Sequence, residues 1–320
     1  MLDTELVEGL IAGIIQTLVV LSVAPLLLGI TKKVKARLQY RRGASLLQPY
    51  WDLAKWWAKA PLESDRATPL SSLAPALIFG ALLVASLLVP LVTVRPPLAG
   101  WGDLLVVIGL LALSRFVLAL SALDAGSAFG GVGSSREVAI AALVEPGLVL
   151  GLSGAAVAAG STDLGVIAAR AMAAGANWYA PAILLASAAF AMVLIAETGH
   201  EPFDNPDTHL ELTMVHEAML LEASGPRLAV LTYAAEIKLI VVGGLFVAAF
   251  LPFGAATEIA PLPLLLGTAA AVVKLVTLAV GLGLVDGLLA KLRILAIPEL
   301  LSIATSLALA GFAARLWLRA

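Results

Sequence analysis

The chain has 320 residues, of which 61% are hydrophobic and only 13% charged, with a mean hydropathy of +1.01 and a formal net charge of −2. Soluble domains carry about twice that share of charge, so the composition excludes an ordinary soluble globule and points to an all-α, polytopic integral membrane protein. The slight acidity argues against a nucleic-acid partner, and the absence of cysteine excludes disulfides, iron–sulfur ligation and thiol catalysis within the chain.

The N-terminus, "MLDTELVEGL", is acidic and lacks the basic region and cleavage site of a secretory signal, so the first apolar run is expected to be retained. Apolar run length predicts about eight transmembrane helices, over 7–30, 70–92, 103–123, 137–160, 179–197, 227–251, 264–286 and 296–318. Most approach the ~20 residues that cross the hydrocarbon. No repeat and no linker interrupts them, which predicts a single transmembrane domain over 1–320.

Between the first two runs, residues 31–66 carry Lys32, Lys33, Lys35, Arg37, Arg41, Arg42, Lys55, Lys59 and Arg66. Basic residues concentrate in cytoplasmic loops. That loop is therefore expected to be cytoplasmic and the N-terminus outside, and alternation makes 124–136, 198–226 and 287–295 cytoplasmic too. Within "RLQYRRGASLLQPYWDLAKWWAK", Trp51, Trp56 and Trp57 suit the lipid headgroup level. Arg37, Gln39, Arg41, Arg42, Gln48, Asp52 and Lys55 suit a docking surface for another protein.

Of the next two cytoplasmic segments only the second, 198–226, is acidic. "GSSREVAIAALVEP", 133–146, brings Arg136 and Glu137 to the start of the fourth run. All three histidines of the chain lie in "HEPFDNPDTHLELTMVHEAMLLEAS", 200–224, with Glu201, Asp204, Asp207, Glu211, Glu217 and Glu222. No metal site is expected there. "HEAML" has Leu220 where a zinc-protease motif needs its second histidine, and His209 and His216 stand two helical turns apart. Asp207 or Thr208 is a plausible N-cap, Leu210, Met214 and Leu221 form an apolar stripe, and Gly225–Pro226 is a stop. An amphipathic surface helix is predicted, acidic where lipid-binding helices are usually basic, so a protein partner or a hydrated cavity suits it better.

Several ionisable groups fall inside the runs: Arg115, Glu145, Glu197, Glu236, Lys238 and Lys274. A lone charge in hydrocarbon costs several kcal/mol, so each is a candidate for an ion pathway, with structural pairing as the alternative. Glu236 and Lys238 are two apart and must find partners on neighbouring helices. Glu145 precedes Pro146, which frees a backbone carbonyl. Asp124 and Asp286 lie near helix ends, where solvation suffices.

The stretch from Glu201 to Gly225 is similar to the complex I subunit 1 family, which also supplies a membrane subunit to formate hydrogenlyases and other group 4 NiFe hydrogenases. Complex I members read approximately P-F-D-x-P-E-A-E-x-E-L. Here Pro202, Phe203, Asp204, Pro206, Asp207, Glu211 and Leu212 match, while His209 replaces the second glutamate. The compact first loop, the "THLELTMVHEAM" continuation and 133–146 resemble the hydrogenase branch, and Glu145 aligns with the family's buried fourth-span glutamate. The resemblance implies an eight-helix subunit at the junction of a peripheral redox arm and a membrane arm, in a bacterial or archaeal cytoplasmic membrane. It implies no cofactor in this chain, nickel–iron and iron–sulfur centres in partner subunits, and antiporter-like membrane neighbours. It implies coupling of electron transfer to proton or sodium translocation, without a complete catalytic site. Two alternatives stand beside it: a quinone-site subunit of an NADH:quinone oxidoreductase, and a stand-alone ion-coupled transporter.

Overall fold

Helix starts in this chain are marked by proline and by short polar caps, which satisfy or remove the unpaired N–H groups of a first turn. The computed structural model describes residues 2–62, 67–98, 100–204 and 214–317. Helix α1 (Leu2–Leu38) is followed by α2 (Gln48–Trp57), α3 (Pro69–Leu88), α4 (Leu104–Asp124) and α5 (Ala128–Ala159). The Thr68, Asp103 and Ser127 side chains accept from Leu70 N, Leu105 N and Gly130 N at the starts of α3, α4 and α5. Next come α6 (Leu164–Ala174), α7 (Pro181–Glu197), α8 (His216–Leu220), α9 (Gly225–Phe250), α10 (Pro261–Leu288) and α11 (Ile297–Trp317).

Seven of these, α1, α3, α4, α5, α9, α10 and α11, are long and apolar enough to cross a membrane. The sequence run 179–197 corresponds to α7, only 17 residues long. It bends by 119° against the segment Leu164–Trp178, and this broken pair makes the eighth span if it is counted as one.

The first loop is shorter than its sequence suggests. Helix α1 continues to Leu38, so Lys32, Lys33, Lys35 and Arg37 ride on its last turns. The amphipathic surface helix expected after Asp207 is reduced, in its described part, to α8, five residues long. Met214, Ala218, Met219 and Leu220 are buried while Leu221 is exposed. The cause is local. The Asp204 carboxylate accepts from His216 N at 3.0 Å, and the segment packs on α5 beside Gly133, where an added Cβ would stand 2.8 Å from the Ala218 side chain. Residues 205–213, with the predicted positions Asp207, His209 and Glu211, lie outside the described residues.

Helix α9 forms the centre. Its most apolar window is 67% buried, against 28% for α10 and α11. Around it, α3 packs on α4 and α9, α1 on α10, and α11 on α5 and α7. Small residues allow close approach, as is usual between membrane helices: a Cβ at Gly311 of α11 would meet the Ala182 carbonyl of α7 at 2.8 Å. At one end of the bundle, α2, residues 198–204, α8 and residues 289–296 gather into a polar cap. Two hydrogen bonds between Ser224 and Leu62 (Ser224 Oγ to Leu62 O, 3.0 Å; Leu62 N to Ser224 Oγ, 2.6 Å) tie the first loop to the third.

Candidate functional site

Beneath the polar cap lies a cavity of about 730 Å³ between α1, α2, α5, α7, α8 and α9. Helix α2 closes one side: Pro49, Asp52 and Trp56 line the cavity, while Trp51 and Trp57 are exposed on the outside. Ion pairs between distant segments build the mouth. Lys35 Nζ of α1 is 3.3 Å from Glu201 Oε1, and Lys291 Nζ is 3.0 Å from Asp204 Oδ1. Asp286, at the end of α10, takes His200 Nδ1 at 2.8 Å on one oxygen and accepts from Glu201 N at 3.0 Å on the other. One short segment, 200–204, is thereby fastened to α1, to α10, to the stretch after α10 and, through Asp204, to the start of α8.

Deeper, a second network leaves the cavity for the middle of the bundle. Glu197, at the end of α7, is 6% exposed and sits between two cations. Lys238 Nζ of α9 lies 3.0 Å from its Oε1, and the Arg115 guanidinium of α4 bonds it from the other side. Arg115 also reaches Glu145 at 2.6 Å and Glu137 at 3.6 Å, both on α5. Four helices, α4, α5, α7 and α9, meet in this one cluster. Arg115 is about 16 Å from one end of α4 and about 14 Å from the other at 1.5 Å rise per residue. Arg115 is therefore close to the middle of α4, and its partner Glu145 is close to the middle of α5.

Glu236, two residues before Lys238 on α9, is 5% exposed, lines the cavity and leaves its Oε2 buried without a hydrogen-bond partner. A buried carboxylate lacking a donor is an expensive arrangement unless water or a proton satisfies it. His216, whose Nε2 also lacks a partner, lines the same cavity.

A family model described as NADH dehydrogenase matches residues 11–315. The chain belongs to that family, the complex I subunit 1-like membrane proteins. Within it, the chain is 36% identical over 299 residues to hydrogenase-4 component C of Escherichia coli K12, covering 93% of each chain. It is 37% identical over 290 residues to formate hydrogenlyase subunit 4 of the same organism, covering 90% of this chain and 92% of that one. Its fold matches a chain in the structure of the membrane-bound sulfane sulfur reductase, an archaeal respiratory membrane complex. There the TM-score is 0.83 at 22% identity, over 96% of this chain and 99% of that one.

In this family member the candidates read from sequence separate into groups. Arg115, Glu137, Glu145, Glu197 and Lys238 come together in one network, and Glu236 joins them through the cavity wall. Lys238 finds its partner on another helix, as its spacing from Glu236 required. Glu145 departs from the expected burial: its side chain is 44% exposed, on a face of α5 that does not line the cavity. Lys274 stands apart. Its Nζ donates to the Leu251 carbonyl at the end of α9 at 2.7 Å and lies 4.6 Å from the Phe253 ring centroid. Of the basic loop, Gln39, Arg41 and Asp52 line the cavity, Arg37, Arg42 and Lys55 are exposed, and Gln48 bonds Asp52 within α2 at 2.8 Å. Arg136 donates to the Met214 carbonyl at 3.0 Å, Glu217 lines the cavity and Glu222 is exposed.

Sequence reading missed the roles of Lys35, His200, Asp286 and Lys291. Asp124 and Asp286 were expected to be merely solvated. Instead Asp124 accepts from Thr68 N at 2.9 Å, and Asp286 anchors the cavity mouth. Pairs separated by 86 positions leave no trace in spacing. The available signal was local: His200 and Glu201 open the acidic stretch 200–224.

Proposed function

We propose that this chain is the membrane-arm subunit of a hydrogenase- or formate hydrogenlyase-type complex, which anchors a peripheral redox arm and couples electron transfer to translocation of protons or sodium. The relatives named above support the class of complex. The observation that carries the mechanism is the continuity of ionisable groups, from the paired mouth through the cavity to the Glu197–Arg115–Glu145 cluster. An arm docked over α2 and segment 198–204 acts on the mouth pairs, and that segment follows directly on Glu197 at the end of α7. A change of charge or position there alters the field at Glu236 and Glu197, and cavity water carries protons between them.

In this reading the polar cap faces the cytoplasm and the N-terminus lies outside, in a bacterial or archaeal cytoplasmic membrane. The docked arm supplies a hydrogenase-like large subunit with a nickel–iron centre and an iron–sulfur small subunit. Antiporter-like subunits complete the membrane arm, and this chain holds no redox centre of its own. Native mass spectrometry of the purified complex tests the assembly. A nickel-containing large subunit bound with this chain is the expected result, and a functional isolated monomer would return the reading to a transporter.

The cavity favours one other reading. At about 730 Å³ it lies in the size range of small-molecule sites, as a quinone-site subunit of a complex I-type enzyme requires. Co-purified quinone that is displaced by substitutions at Arg41 or Asp204 would favour that reading over the hydrogenase one.

A further inference from the structure

The central network is unbalanced, and its unbalanced part faces outward. Among the described residues it joins Arg115 and Lys238 to Glu137, Glu145 and Glu197: two cations against three carboxylates. Glu197 is shielded on both sides. Glu145 has only Arg115, and its side chain is 44% exposed on the outer face of α5, close to mid-helix depth. Pro146 follows it and has no N–H, so the Ala142 carbonyl one turn earlier loses its intrahelical donor. Ala142 and Pro146 are both exposed on that face. A half-exposed carboxylate and a carbonyl without its i+4 donor thus stand a turn apart on α5, with Val138 exposed a turn earlier on that helix and Leu113 and Phe116 exposed close to Arg115 along α4. Lipid tails offer neither acceptor a partner, and an uncompensated charge at this depth costs several kcal/mol.

We propose that the α4–α5 face around Glu145 is the seat of a transmembrane helix from a neighbouring subunit, which presents a lysine or arginine to Glu145 and the Ala142 carbonyl. The apolar surround suits a helix rather than a polar domain. The excess negative charge, with two acceptors side by side, selects a cation with several N–H donors. One positive side chain neutralises the network and extends it across the subunit boundary. This names a partner contact for the multi-subunit reading above and rests on it.

The test uses the intact complex in native membranes. A photoreactive benzoylphenylalanine replaces Ala142 in one variant and Phe116 in another. After irradiation, the adducts are identified by peptide mass spectrometry. The expected adduct is a transmembrane segment of a different subunit with a lysine or arginine within one turn of the cross-linked residue. In a Glu145→Lys background the yield should fall at least about tenfold, the effect of setting like charges against each other at a desolvated contact. Changing the partner's basic residue to glutamate in that background should restore it. Adducts to lipid, to a second copy of this chain, or to a helix without a basic residue nearby would overturn the proposal. So would an unchanged yield with Glu145→Lys. Retention of the peripheral arm in the same samples, read on native gels, reports separately on the multi-subunit reading.

Discussion

Lys238 of α9 holds its ammonium 3.0 Å from a carboxylate oxygen of Glu197 on α7, and Arg115 grips the same carboxylate from α4. The two cations are not equivalent. Lys238 serves one carboxylate, whereas Arg115 joins three. Removing one side of a buried pair leaves an uncompensated charge and costs about 3–5 kcal/mol. Arg115→Gln is therefore expected to destabilise the subunit by about that much. Lys238→Gln leaves Glu197 bonded to Arg115 and should cost about 1–3 kcal/mol, the scale of one buried hydrogen-bonding group. Thermal unfolding of the detergent-solubilised complex should rank them in that order, and a larger loss for Lys238→Gln would make Lys238 the centre of the cluster.

Asp204 and Arg41 both line the cavity mouth, but substitutions there should fail in different ways. Asp204 is buried, paired to Lys291 and bonded to His216 N. Asp204→Ala strips these contacts at once. It should loosen the α8 segment and lower stability by about 3–5 kcal/mol, in addition to weakening the hold on the arm. Arg41 is exposed, so Arg41→Ala should leave the melting temperature within the small range of surface changes, about 0.5 kcal/mol. It should still release arm subunits on native gels as salt is raised. Full arm retention by Arg41→Ala at high salt would remove the basic loop from the interface.

Ser224 and Gly225 tie the third loop to the first. Gly225 has a positive φ of 57°, and a Cβ there would stand 2.8 Å from the Lys59 carbonyl and 3.0 Å from that of Ala60. Gly225→Ala meets both the backbone strain and the clash. A loss of about 1–3 kcal/mol is expected, with earlier protease cleavage between the two loops. Unaltered cleavage and melting would mean that residues 59–62 shift aside freely.

Much of the helical scaffold was legible in the sequence, because long apolar runs have few alternatives in a bilayer. All eight runs fall on helices, and the intramembrane charges Arg115, Glu197 and Lys238 do meet. The misreadings have physical causes. Run length cannot show the 119° bend before α7, since a broken pair and a straight helix share one composition. The helical pattern after Asp207 is real as periodicity. Yet α8 is short because Asp204 and α5 fix where it starts and bury its apolar residues. Basic residues counted as loop belong to α1, which outlasts its apolar run. The half-exposure of Glu145 was invisible because outward and inward faces of a membrane helix are equally apolar in sequence.

Tyr40 tests the orientation. It is fully exposed at the polar cap, beside Arg41 and Arg42. In the proposed orientation the excess of lysine and arginine at that end puts it on the cytoplasmic side, following the positive-inside tendency. A Tyr40→Cys variant introduces the sole cysteine of this chain. A membrane-impermeant maleimide should leave it unlabelled in intact cells and label it in inverted vesicles. Labelling in intact cells would reverse the topology.

Glu145→Gln addresses coupling most directly. The amide keeps the size of the side chain and one accepting oxygen for Arg115, but it neither carries the charge nor exchanges a proton at neutral pH. With Glu145 neutral, the two cations of the cluster face only Glu137 and Glu197, so the excess negative charge disappears. Packing in this region depends on α4, α5, α7 and α9 together, so this subunit and the docked arm should stay assembled, while a neighbouring helix seated at Glu145 loses its charge partner and is held more weakly. On the proposed coupling route, a charge rearrangement that starts at the cavity mouth then ends at Arg115. The expected result, in reconstituted vesicles, is redox turnover without a pH or sodium gradient, or turnover slowed together with gradient formation. Lys238→Gln in the same assay should weaken the gradient without abolishing it, because Arg115 still connects Glu197 to Glu145. A normal gradient at unchanged turnover with Glu145→Gln would take Glu145 out of the pathway and leave it as the structural counter-ion of Arg115.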